Sequence, residues 1–141
     1  MQTVTDETGR RYLRLKTAGE SSLVRDPETG EERYVENERL TPVDRSLLET
    51  AASGIPEGTR RLLTAVNDER GLGLVLELDR RGPLSVRALL SAYDLCESDL
   101  HGRLGELRAA GVIEEVEVAG ERGYRVTADV GERLDALRGI D

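Results

Sequence analysis

The stretch PLSVRALLSAYDLCESDLHGRLGELRAAGVIEEVEVAGERGYRVT, Pro83 to Thr127, decides the fold. It holds two short helical patterns, a glycine stop and two β-rich runs around a glycine-containing turn. In the second pattern Leu100, Leu104 and Leu107 recur at i, i+4 and i+7, one apolar stripe of helical period, and Leu95 joins the same core just before it. Ser98 or Glu97 is placed to cap the start, and Gly111 stands where a left-handed C-terminal residue is wanted. Val112-Ile113 then opens a strand in which Val116 and Val118 alternate with Glu115 and Glu117. Ala119 to Gly123 supplies the reversal and Tyr124-Arg125-Val126 returns. The order is helix, turn, helix, hairpin.

At these residues the chain resembles the winged helix-turn-helix domains of ArsR-type and MarR-type archaeal and bacterial regulators. The matching pieces are Gly82-Pro83-Leu84-Ser85, the Leu104, Leu107 and Gly111-Val112-Ile113 series, and Tyr124-Arg125-Val126-Thr127 followed by Gly131, within roughly Leu72 to Leu137. The resemblance implies a DNA-binding transcriptional regulator that acts as a dimer, with the terminal helix contributing to the dimer or simply closing the core. In it the helix Ser85 to Tyr93 props the helix Glu97 to Ala110 on the major groove. The typical base-reading positions fall on Glu97, Ser98, His101 and Gly102. Ser85, Arg87 and Arg108 flank that helix, and the Gly120 to Gly123 wing brings Arg122 and Arg125 to phosphates.

Upstream, Arg11 to Leu15, Ser22 to Arg25 and Glu32 to Val35 read as short strands, the last two joined by Asp26-Pro27-Glu28-Thr29-Gly30. A three-stranded antiparallel meander is expected, with residues 1–9 frayed. Thr41-Pro42 is expected to start a helix with Leu47, Leu48, Ala51 and Ala52 inward, and Thr59 to cap a second carrying Leu62, Leu63 and Val66. Gly71 and Gly73 are expected to interrupt or break it before Leu74 to Leu78, a run that fits a buried helix or a strand. A final helix carries Val130, Leu134 and Leu137 on one face. The expected fold class is therefore α+β, mainly helical. A meander plus helix occupies residues 1–55, and a winged helix-turn-helix domain with flanking helices occupies 56–141.

Composition bounds the chemistry. Of 20 basic residues only Lys16 is lysine, and 28 acidic residues bring the net charge to −8. Such arginine-rich acidic surfaces resemble those of haloarchaeal proteins, where abundant salt screens the repulsion. No apolar run is long enough for a membrane span and the N-terminal residues show no basic-then-apolar leader pattern, so a soluble cytoplasmic protein is expected. One cysteine, Cys96, and one histidine, His101, cannot make an internal disulfide or complete a zinc site. Cys96 reads as a small buried or half-buried filler, with a redox-sensing thiol as the alternative. No phosphate loop, nucleophile-base set or ligand cluster is present, so no enzyme activity, metal or cofactor is expected.

The interface residues pull in two directions. With the leucine stripe inward, the opposite face of the second helix is Ser98, Gly102, Gly105 and Ala109, all small, and interior glycine costs a helix about 1 kcal/mol relative to alanine. Ser85 to Thr127 holds eight acidic residues against five arginines, whereas phosphate binding needs a concentrated basic footprint. A second reading therefore stands beside the regulator: a protein-interaction module in which the Ser98, Gly102, Gly105, Ala109 stripe packs closely against a partner helix or the chain's own N-terminal half. Arg10, Arg11, Arg14 and Lys16 cluster in one strand, either as a phosphate-contacting arm or as a charged edge strand that discourages aggregation.

Overall fold

The structure is a computed structural model and describes residues 1–139. It is α+β and divides into two compact units, Met1–Pro56 and Glu57 onward. Among the described residues no helix is long and apolar enough to cross a membrane.

The first unit is a five-stranded antiparallel sheet: β1 (Gln2–Thr5), β2 (Arg11–Ala18), β3 (Ser21–Arg25), β4 (Glu32–Glu36) and β5 (Thr41–Pro42), in the order β4-β3-β2-β1-β5. One face buries Val4, Tyr12, Val24, Val35 and Leu40 together. On the other, Thr3 on β1 shares a buried hydrogen bond of 2.7 Å with Thr50 of the short helix α1 (Leu47–Ala52). The meander is therefore larger than its three legible strands. Residues 1–9 are not frayed at their start: β1 lies between β2 and β5, with Thr3 and Val4 buried. The segment QTVT has one strong apolar residue and no long pattern, so only the neighbouring strands' backbone groups make it a strand.

Thr41-Pro42 does not start a helix. It pairs with Val4 and Thr5 as an edge strand, where proline's missing N–H costs nothing. α1 begins five residues later, after Ser46, whose Oγ accepts from the Glu49 amide. Of its expected apolar side Leu48, Ala51 and Ala52 face out, Leu48 being 80% exposed, while Leu47 is half-buried and the buried residue is Thr50. β2, the strand with Arg11, Arg14 and Lys16, is the middle strand of the sheet, which removes the edge-strand explanation of its charge. A bulge at Leu15 shifts the register between Arg14, opposite Val24, and Lys16, opposite Leu23.

The second unit follows as α2 (Glu57–Ala65), α3 (Glu69–Arg81), β6 (Leu84–Ser85), α4 (Val86–Ala92), α5 (Glu97–Ala109), β7 (Ile113–Val118), β8 (Glu121–Val126) and α6 (Ala128–Leu137). Its core gathers Leu74, Val75 and Leu78 of α3, Leu89 of α4, the α5 leucines, Ile113, Tyr124 and the α6 residues Val130 and Leu134. α3 runs unbroken through Gly71 and Gly73. Gly71 is buried, and a Cβ there would lie 3.2 Å from both Arg103 Nη1 and Asp68 Oδ1, so the glycine serves close approach rather than a break.

β6, β8 and β7 form a three-stranded sheet in that order. The reversal is tighter than the expected Ala119 to Gly123. Only Ala119 and Gly120 lie between the strands, with φ of 51° and 81°, the positive pair that matches strand twist in a two-residue turn. Gly123 instead sits within β8, opposite Val116 of β7 and Ser85 of β6. Gly111 has φ of 78° and ends α5 as expected. α6 buries Val130 and Leu134, but Leu137 remains 56% exposed.

Candidate nucleic-acid interface

The side chains singled out in the sequence lie on α4, α5 and the β7-β8 hairpin. Leu100, Leu104 and Leu107 anchor α5, each 3% exposed or less. The opposite face, with Ser98, Gly102, Gly105 and Ala109, is exposed, and a Cβ built at Gly102 or Gly105 meets nothing within 4 Å. Within this unit the stripe is therefore not a packing surface. α5 starts after Cys96, which occupies the N-cap position without a side-chain capping bond, while Glu97 and Ser98 already lie inside the helix. Cys96 is exposed rather than a buried filler, because the turn that carries Leu95 inward points the next side chain out. Its Sγ lies 3.5 Å from Ser98 Oγ, and that contact with nearby backbone amides draws the thiol below its ordinary pKa.

α5 is held to α3 by one ion cluster. Arg103 donates from Nη1 and Nη2 to the two oxygens of Asp68 at 2.7 and 3.1 Å, and from Nε to Asp99 at 3.1 Å. Asp68 also caps α3 by accepting from the Gly71 amide at 2.8 Å. The Arg103 guanidinium, and then the Gly71 amide, hold its carboxyl down at about 2 against an ordinary 3.8. A lowered carboxylate pKa stabilises the fold above the unfolded value, and that contribution is lost as pH falls from about 4 through about 2. Asp68→Asn keeps the cap and removes the charge. It is expected to lower the melting temperature at pH 6, and the gap from the parent should close by pH 2. A constant gap across that range would show that the charge of Asp68 is not what matters.

The candidate contact residues meet different fates. Ser85 is 7% exposed, pairs with Gly123, and its Oγ caps α4 by accepting from the Ala88 amide at 3.0 Å, so it is mostly covered and already serves the fold. Glu97 and His101 are exposed on α5, with 3.7 Å between His101 Nε2 and Glu97 Oε1. Each arginine already faces a carboxylate. Arg87 lies 3.2 Å from Glu121, Arg108 2.9 Å and Arg122 3.3 Å from Glu115, and Arg125 2.5 Å from Glu114. Arg122 also donates to the hydroxyl of buried Tyr124, at 2.6 Å from Nη2, with its guanidinium over the ring.

Glu114, Glu115 and Glu121 are thus the residues that reading the arginines alone missed. Part of the signal was legible. In an antiparallel hairpin closed by two residues, Glu114 stands directly opposite Arg125 and Glu115 opposite Tyr124. The approach of Arg108 and Arg87 from the helices depends on packing and has no local signature.

Comparison with curated proteins and with solved structures finds no match. Residues 1–138 match the family model of DUF7346, a family of unknown function, and that match spans both units. The chain belongs to the DUF7346 family.

Proposed function

We propose that the chain is a winged-helix DNA-binding transcriptional regulator, cytoplasmic, dimeric and adapted to a salt-rich haloarchaeal cell. In this reading α4 and α5 are the helix-turn-helix and the β7-β8 hairpin is the wing. The observation that carries it is the uncovered outer face of α5, beside which Arg108 on that helix and Arg122 on the hairpin meet at Glu115. Small residues on that face let the helix backbone approach a groove closely, although they supply no bidentate fork for a base edge. Affinity then comes from phosphates more than from base readout. Glu97 and His101 are the long polar side chains left to select bases. The dimer uses the apolar face where Leu63 of α2 (59%), Leu72 of α3 (38%) and Leu137 of α6 (56%) are exposed.

The protein-interaction module remains the second reading. It is favoured by the pairing of every candidate arginine with a glutamate, which leaves this surface no concentrated positive field.

The deciding experiment is fluorescence anisotropy of a random-sequence duplex and of the gene's own upstream DNA, from about 0.1 M to multimolar potassium chloride. The regulator predicts binding whose logarithm falls linearly with the logarithm of salt. Arg122→Ala and Arg125→Ala should each weaken it several-fold and reduce the slope by about one. A folded protein that binds neither duplex at the lowest salt rejects this reading in favour of the interaction module.

A further inference from the structure

We infer that Arg108 and Arg122 form a two-pronged seat for one backbone phosphodiester of duplex DNA, and that Glu115 is the anion occupying that seat in the free protein. The inference rests on the DNA-binding reading above and deepens it. Two guanidiniums from different elements, one on α5 and one on β8, converge on a single carboxylate: Arg108 Nη1 to Glu115 Oε2 at 2.9 Å and Arg122 Nε to Glu115 Oε1 at 3.3 Å. A phosphodiester offers the same pair of anionic oxygens to such a fork. The seat is built independently of its occupant, because Arg122 is held by the Tyr124 hydroxyl and Tyr124 is 2% exposed. Arg108 is carried by an α5 whose register is set by three buried leucines.

The carboxylate can leave. Its side chain is 36% exposed and those of the two arginines 55% and 54%, so the pairs are solvent-screened and weak. When DNA enters, Glu115 swings to solvent and recruits cations from the medium. The cations released from the phosphate are then partly recaptured, and the observed salt dependence is shallower than two arginine contacts would produce alone. This exchange lets an acidic module bind a polyanion in salt without exposing uncompensated cations beforehand.

Glu115→Gln tests the seat, with Glu117→Gln as its control. Glu117 is on the same strand, opposite Arg122, and makes no ion pair among the described residues, so it removes the same charge without opening the seat. Duplex affinity of both variants and the parent is measured by anisotropy from about 0.1 to 1 M potassium chloride, with circular dichroism to confirm folding. Glu115→Gln is expected to raise affinity about three- to tenfold at the low end and to steepen the salt slope by about one, with the gain fading at high salt. Glu117→Gln should change affinity about twofold or less. Adding Arg108→Ala to Glu115→Gln should erase most of the gain.

Equal gains from the two variants would reduce the effect to net charge and overturn the seat while leaving the DNA reading intact. So would parent-like binding by Glu115→Gln in a parent that binds duplex. Binding by neither parent nor variant defeats both. Inorganic phosphate that abolishes the Glu115→Gln gain at concentrations where chloride of equal ionic strength does not would reassign the seat to free phosphate.

Discussion

Gly123→Ala is expected to destabilise the C-terminal unit by about 3 kcal/mol or more, the upper range for forcing atoms into a packed site. A Cβ at Gly123 would lie 2.6 Å from the Leu84 carbonyl oxygen and 2.7 Å from Val118 Cγ2. The first neighbour is backbone and cannot rotate away, so β6 must separate from β8. With it goes the placement of Ser85, whose hydroxyl caps α4. Gly105→Ala is the contrasting substitution. No atom lies within 4 Å of its Cβ, and alanine in a helix interior is favoured over glycine by about 1 kcal/mol, so α5 should become more stable. Thermal unfolding of the two variants beside the parent gives opposite signs if β6 approaches β8 as described. A Gly123→Ala protein as stable as the parent would refute that approach.

Leu104→Ala is expected to cost about 3–4 kcal/mol, from lost burial plus the cavity left behind. Leu104 is 1% exposed and sits between Leu100 and Leu107 at the centre of the α5 stripe. Domains of this size are stable by about 5–15 kcal/mol in all, so one such change removes much of the margin. In urea the midpoint should fall with an unchanged slope, the sign of lost stability without a change in the surface exposed. Leu137→Ala makes a useful comparison, because Leu137 is 56% exposed. In a monomer it should shift stability by about 0.5 kcal/mol or less, and a larger, concentration-dependent loss would mark Leu137 as part of the dimer face. A Leu104→Ala midpoint close to the parent's would mean that α5 is not anchored through its stripe.

Legibility followed the range of the interactions. α5 was readable because i, i+4, i+7 leucines and a left-handed glycine stop are local signals, and the hairpin because valine alternation and a glycine turn lie within a few residues. The hairpin's turn was placed too broadly because Gly123 looks like a turn residue. Its glycine answers instead to the Leu84 backbone, 39 positions earlier, across β6. Gly71 resembles a helix break in sequence for the same reason: what requires it is the Arg103 guanidinium on another helix.

By itself the sequence determined that this is an α+β chain whose C-terminal part carries a helix pair followed by a hairpin, and that its surface is acidic and arginine-rich. These are properties of residue periodicity, turn chemistry and composition, each complete within a short window. Only the tertiary structure decided that residues 2–5 form an inner strand, that Thr41-Pro42 is a sheet edge, and that Ser85 is buried while Cys96 is exposed. It also decided that Glu115 holds two of the arginines read as contacts for DNA. Strand pairing and ion pairing join groups far apart in the chain, so which partner each donor finds depends on the packing of helices and sheet.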